Sequence, residues 1–135
     1  MSPVPKVIIT SESFAIEAGS DMYCRAQVPN ILNPYQQWQL IYYPEKDAVA
    51  LLIDMNNTTF ALSAPSGEEY PKLRPFIWDD SYLWRVAPLG GNLGIPTVRG
   101  PSHCLTWEGT KWAVGTRLQY WQWHDIDNQK WKITR

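Results

Sequence analysis

Gln36-Gln37-Trp38-Gln39-Leu40, Tyr82-Leu83-Trp84-Arg85-Val86 and Gln129-Lys130-Trp131-Lys132-Ile133 are three versions of one phrase, their tryptophans 46 and 47 positions apart. Self-similarity at a fixed period marks a repeated supersecondary unit. Three periods account for the whole chain, as repeats at approximately 1–44, 45–89 and 90–135. The 135 residues are therefore read as one domain of three copies, large enough to bury its own core.

Working outward from each tryptophan, every copy divides into four short strands. The first strands are Val7–Thr10, Val49–Ile53 and Ile95–Val98, and the second are Phe14–Ile16, Phe60–Leu62 and His103–Leu105. Third strands fall near Tyr23–Val28, Leu73–Trp78 and Arg117–Trp123; the fourth are Trp38–Tyr43, Trp84–Pro88 and Trp131–Arg135. β-branched and aromatic runs of this length, broken by Gly, Pro, Asn and Asp, are strand signals. Eleven prolines leave little room for an uninterrupted helical period. Pro44-Glu45-Lys46-Asp47 and Gly90-Gly91-Asn92 read as the turns between copies. The fold class is all-β: twelve strands in a closed assembly with pseudo-three-fold symmetry, which leaves few free edges.

Composition excludes several functions. A net charge of −1 and a pI near 6.1 give no basic surplus for nucleic acid or an anionic membrane. No apolar stretch approaches a membrane span, so no membrane insertion is expected. Met1–Lys6 has no apolar signal region, and a cytoplasmic location is expected. Cys24 and Cys104 lie in different copies without metal-ligand spacing, and read as small apolar residues in a reducing compartment. Two overlapping glycosylation sequons, Asn56-Asn57-Thr58 and Asn57-Thr58-Thr59, are expected to be idle if the chain is not secreted. His103 and His124 lack a nucleophile at recognisable spacing, and no phosphate loop or zinc-protease motif occurs. No enzyme activity, cofactor or metal is therefore expected. Glu68-Glu69 and Asp79-Asp80 read as solvated loop charges.

Five of the eight tryptophans fall in the last third, which makes the third copy chemically distinct. That copy reads Cys104-Leu105-Thr106-Trp107-Glu108-Gly109, then Gly115-Thr116-Arg117-Leu118-Gln119-Tyr120-Trp121, then Asp127-Asn128-Gln129-Lys130-Trp131. With Gln-x-Trp closing each forty-odd-residue unit, the chain resembles the ricin B-type β-trefoil, or R-type lectin, family. It looks most like the small cytosolic lectins of fungi. The resemblance covers the whole chain, although Tyr82 replaces the second copy's glutamine. It implies a β-trefoil that binds glycans without enzymatic chemistry, favouring galactose or N-acetylgalactosamine termini, with a role in defence. A homodimer would add avidity to weak single sites. Trp38, Trp84 and Trp131 are expected to fill the core, and Gln36 and Gln129 to satisfy turn backbone groups.

Sugar sites of that family combine an acid after the second strand, an aromatic platform on the third, and an Asn beside the glutamine. The ring stacks on the sugar's C–H face while acid and amide bond its hydroxyls. The third copy matches best, with Trp121 as platform, Trp123 and His124 beside it, and Asn128 next to Gln129. Strand alternation points Leu105, Trp107, Leu118 and Tyr120 inward, and Thr106, Glu108, Gln119, Trp121 and Trp123 outward. Thr106 stands at the acid position, so either Glu108 substitutes or the pocket uses Thr106 with backbone groups of the Glu108-Gly109 turn. Alternatively, Trp121 and Trp123 cover an apolar patch or an oligomer contact. The first copy offers Glu17 as acid, Val28 or a neighbour as platform, and Tyr35 in place of Asn. The second offers Ser63, the run from Arg74 to Trp78, and Asp79-Asp80 before Ser81-Tyr82. Two rival classes stay open. One is a protease inhibitor acting through the loop Ser63–Arg74, with Lys72 and Arg74, or through Pro88–Pro101, with Arg99. The other is a partner-binding trefoil without sugar sites.

Overall fold

The structure is a computed structural model that describes residues 5–64, 70–77, 79–89, 92–95, 103–122 and 127–134. These form thirteen strands and four single 3₁₀ turns, without an α-helix among the described residues. The first copy holds β1 (Ile8–Ser11), β2 (Phe14–Ala18), β3 (Cys24–Gln27) and β4 (Gln39–Tyr43). The second holds β5 (Ala48–Met55), β6 (Thr58–Ser63), β7 (Lys72–Pro75), and a fourth strand divided into β8 (Leu83–Trp84) and β9 (Ala87–Leu89). The third holds β10 (Asn92–Gly94), β11 (His103–Trp107), β12 (Leu118–Gln122) and β13 (Lys132–Thr134).

Pairing follows the three-fold plan. The fourth strand of each copy pairs antiparallel with the first strand of the next: β4 with β5, β9 with β10, and β13 back with β1. That last ladder, Ile9 opposite Ile133 at its centre, closes the ring. Each copy also contributes a hairpin from its second and third strands: β2–β3, β6–β7 and β11–β12. The fold is a β-trefoil. The fourth strand divides because its start lies against its own copy. Trp84 pairs with Val49 of β5 before β9 moves on to β10, and Trp38 likewise bridges Val7.

The repeated tryptophans do one job three times. Trp38, Trp84 and Trp131 are fully buried, and each indole Nε1 donates to a backbone carbonyl of its own copy's second strand. The acceptors are the carbonyls of Ile16, Leu62 and Leu105, each at 3.0 Å. Each ring thus removes a large apolar area from water while its only polar atom is satisfied. Trp107 adds a fourth buried indole, edge-on to Trp131 at 5.1 Å and bonded to the Ser11 carbonyl at 2.9 Å.

Two expectations need correction. The first strand of the third copy lies at Asn92–Gly94 rather than Ile95–Val98; residues 96–98 lie outside the described residues. Asn92 belongs to the ladder because it pairs with Leu89, leaving only residues 90–91 between the strands. Alternation also fails at Thr106 and Gln119, both expected to face outward and both buried. They oppose one another in the β11–β12 register, and the 3₁₀ turn Asp127–Gln129 packs over β11 on the face that alternation leaves to solvent. The inward set, Leu105, Trp107, Leu118 and Tyr120, is buried.

Candidate functional site

One 3₁₀ turn precedes each repeated tryptophan: Pro34–Gln36, Asp80–Tyr82 and Asp127–Gln129. Asn33 caps the first, its Oδ1 accepting from the Tyr35 amide at 2.9 Å; Asp79 caps the second from Ser81 at 2.9 Å. A short polar acceptor ahead of the first orphan amides is what starts such a turn. In the first and third copies the buried glutamine then clamps two strands together. Gln36 Nε2 donates to Glu17 Oε1 at 3.2 Å and the Val28 carbonyl at 3.0 Å. Gln129 Nε2 donates to Thr106 Oγ1 at 3.2 Å and the Gln122 carbonyl at 2.8 Å. The glutamine therefore fixes the acid-position residue against the end of the third strand.

In the first copy this clamp holds a carboxylate. Glu17 Oε1 accepts from Gln36 and also from Asn33 Nδ2 at 2.7 Å, while Asn30 N donates to Gln36 Oε1 at 2.8 Å. Glu17, Gln27, Val28, Asn30, Asn33 and Gln36 line an open pocket of about 420 Å³. Sequence reading placed Tyr35 where an Asn was wanted; Asn33, two residues earlier, reaches the acid instead. Its signal was present in Asn33-Pro34, the cap-then-proline start of a helical turn. Val28 is exposed at the rim, and among the described residues no aromatic ring lines this pocket.

The third copy assembles differently. Trp121 is 44% exposed at the end of β12, as a platform requires. Thr106 (2% exposed), Asn128 (2%) and Gln129 (0%) are buried, spent on the hairpin instead of offered to solvent. Asn128 Nδ2 donates to the Trp107 carbonyl at 2.7 Å, and its Oδ1 is buried without a partner among the described residues. Glu108 is half-buried, and its carboxylate accepts from the Tyr70 hydroxyl of the second copy. The Arg117 guanidinium lies 3.8 Å over that tyrosine ring, so Glu108 is held between copies. Gly109 is exposed at φ 83, and its carbonyl takes the Trp112 indole at 3.1 Å. Trp123 and His124 lie outside the described residues.

The second copy has exchanged the polar clamp for an apolar one. Tyr82, in the glutamine position, stacks on Phe76 with centroids 6.1 Å apart. Ser63 is buried, donating to the Lys72 carbonyl at 2.9 Å and accepting from Arg74 Nη1 at 2.6 Å. Asp80 pairs with Lys46 at 3.6 Å, and Trp78 lies outside the described residues. Lys72 and Arg74 belong to β7, paired along β6, rather than to a protruding loop. Glu68, Glu69 and Arg99 lie outside the described residues.

Cys24 and Cys104 are buried, free thiols. Burial pushes the Cys104 thiol up to about 11 despite its contact with Thr106, and raises Cys24 further. Among the described residues no group of His, Cys, Asp and Glu is arranged to hold a metal ion.

No family model and no curated protein matches the chain. Solved structures do. The chain is similar to a mosquitocidal holotoxin, with TM-score 0.85 and 16% identity over 99% of the chain, which spans 17% of that protein. It is similar to the Rhizoctonia solani agglutinin, with TM-score 0.78 and 14% identity over 99% of the chain and 97% of that protein. It is also similar to the C-half of an earthworm R-type lectin in complex with GalNAc, with TM-score 0.70 and 19% identity over 96% and 98% of the two chains. The likeness is one of fold.

Proposed function

We propose that this protein is a non-enzymatic, glycan-binding lectin. The observation that carries the proposal is the Glu17 carboxylate, fixed by Asn33 and Gln36 at the wall of an open pocket. Oε1 takes both amides, and among the described residues no hydrogen bond to Oε2 is formed. Oε2 is thus a pre-set acceptor for a sugar hydroxyl beside the Asn33 amide, and preorganisation of this kind reduces the entropy cost of binding. The fold neighbours support the reading, since one is an agglutinin and another an R-type lectin in complex with GalNAc. Galactose or N-acetylgalactosamine termini are accordingly the proposed ligands. Cytoplasmic residence and a defence role complete the reading, with a homodimer supplying avidity.

A second contact in the third copy uses the exposed Trp121 as stacking platform, with Trp123, His124 and the Glu108-Gly109 backbone beside it and Thr106, Asn128 and Gln129 as buried supports. Titration calorimetry against N-acetylgalactosamine, with a glycan array for breadth, tests both copies. Glu17→Gln is expected to abolish first-copy binding and Trp121→Ala third-copy binding, so the double variant binds nothing. Undiminished binding by the double variant would remove both sites.

A further inference from the structure

The same 3₁₀ turn that lines the Glu17 pocket through Asn33 and Gln36 lines a second open cavity of about 480 Å³ through Pro34 and Tyr35. Its walls come from two copies: Pro34 and Tyr35 of the turn, and Asp54, Asn56, Asn57 and Thr59 of the β5–β6 hairpin. We propose that this cavity is a second saccharide subsite, so that one extended oligosaccharide crosses the Pro34–Gln36 turn with its terminal sugar at Glu17. The inference rests on the glycan-binding reading and names the length of ligand it takes.

Four observations carry it. Tyr35 lines the cavity and is 41% exposed, so its ring is accessible for stacking on the C–H face of a sugar. Asp54 is pre-set like Glu17: Thr59 Oγ1 donates to its Oδ1 at 2.6 Å, and Lys6 Nζ stands 3.7 Å from Oδ2. A carboxylate offers about four acceptor positions, so capacity remains for sugar hydroxyls. Asn56 and Asn57 form the two-residue tip between the Met55–Thr58 pair, both left-handed at φ 52 and 65. Their exposed side-chain amides make no hydrogen bond among the described residues. The second position of such a turn prefers Gly, which takes positive φ without cost. Asn57 gives up that ease and gains an amide facing the cavity's solvent. Last, the two cavities share one short turn. Pro34 and Tyr35 line one and their chain neighbours Asn33 and Gln36 line the other, so a ligand leaving the Glu17 pocket over the turn meets the second cavity directly.

The test is affinity against chain length. Wild type, Tyr35→Ala and Asn57→Gly are titrated with N-acetylgalactosamine and with di-, tri- and tetrasaccharides ending in it or in galactose. Wild type is expected to bind the longer ligands roughly tenfold more tightly than the monosaccharide, the order of one stacking contact with its hydrogen bonds. Both variants are expected to lose that increment and keep the monosaccharide affinity within about twofold. Asn57→Gly guards against a folding artefact, because it is expected to raise the thermal midpoint while removing the ligand contact. An increment that survives in both variants, or Glu17-dependent binding that never rises with length, overturns the subsite and leaves the lectin reading intact. Failure of the wild type to bind any glycan overturns both.

Discussion

At the scale of single residues, the indole hydrogen bond is what separates tryptophan from other large side chains at positions 38, 84 and 131. Trp84→Phe keeps most of the apolar volume but leaves the Leu62 carbonyl buried and unpaired. A loss of about 1–3 kcal/mol is expected for that orphaned acceptor, against about 3–5 kcal/mol for Trp84→Ala with its cavity. Urea denaturation of the two variants checks the order. The buried thiols give a second prediction. With Cys104 held near 11 and Cys24 above it, neither is expected to react with a thiol reagent at pH 8 in the folded protein. Both are expected to titrate in denaturant, and a native-state reaction of either would show that its strand opens.

At the scale of elements, the β2–β3 turn packs closely on its own backbone at Gly19. Gly19 N donates to the Tyr23 carbonyl at 2.9 Å, and a Cβ on Gly19 would sit 2.8 Å from that oxygen and 2.8 Å from Asp21 Oδ1. Gly19→Ala must therefore shift the turn, at a cost of about 1–3 kcal/mol. In the same turn Arg25 grips Asp21 through two bonds of 2.9 and 2.6 Å. The Arg25 hydrogen bond is the main reason the Asp21 carboxyl falls to about 2. The sign follows: the folded state holds fewer protons on Asp21 than the unfolded state, so this contribution is complete above pH ~4 and fades toward pH 2. Both side chains are well exposed, so the effect is small. Asp21→Asn is expected to flatten that part of the stability–pH curve by lowering the neutral plateau by the same small amount, leaving stability near pH 2 unchanged.

At the scale of the whole molecule, β1 is held by a strand from the far end of the chain, so the three copies should stand or fall together. Far-UV circular dichroism and tryptophan fluorescence, reporting from buried indoles in every copy, are expected to trace one coincident transition. Deleting residues 5–11 removes β1 and the partner of Trp38, and is expected to abolish it. The same geometry explains what the sequence made legible. A period of forty-odd residues exposed the three tryptophans and the second strands that receive their hydrogen bonds, because those contacts lie within one copy. Thr106 and Gln119 were misassigned because alternation assumes one covered face, whereas the Asp127–Gln129 turn covers the other. Asn33 was missed because the 3₁₀ turn brings forward a residue three before Gln36. The Tyr35–Asn57 cavity was illegible in principle, since its walls belong to different copies.

The β1–β13 ladder also dictates when the protein can finish folding. Synthesis delivers β1 first and its partner last, with almost the entire chain between them. Throughout that interval β1 presents open backbone donors and acceptors beside apolar Ile8 and Ile9, the arrangement most prone to pairing with a stranger. The hairpins can form locally on the ribosome, but ring closure is a long-range event and therefore slow. For a fold with so few free edges once complete, the hazard lies before closure, and its extent is set by the translation time between β1 and β13.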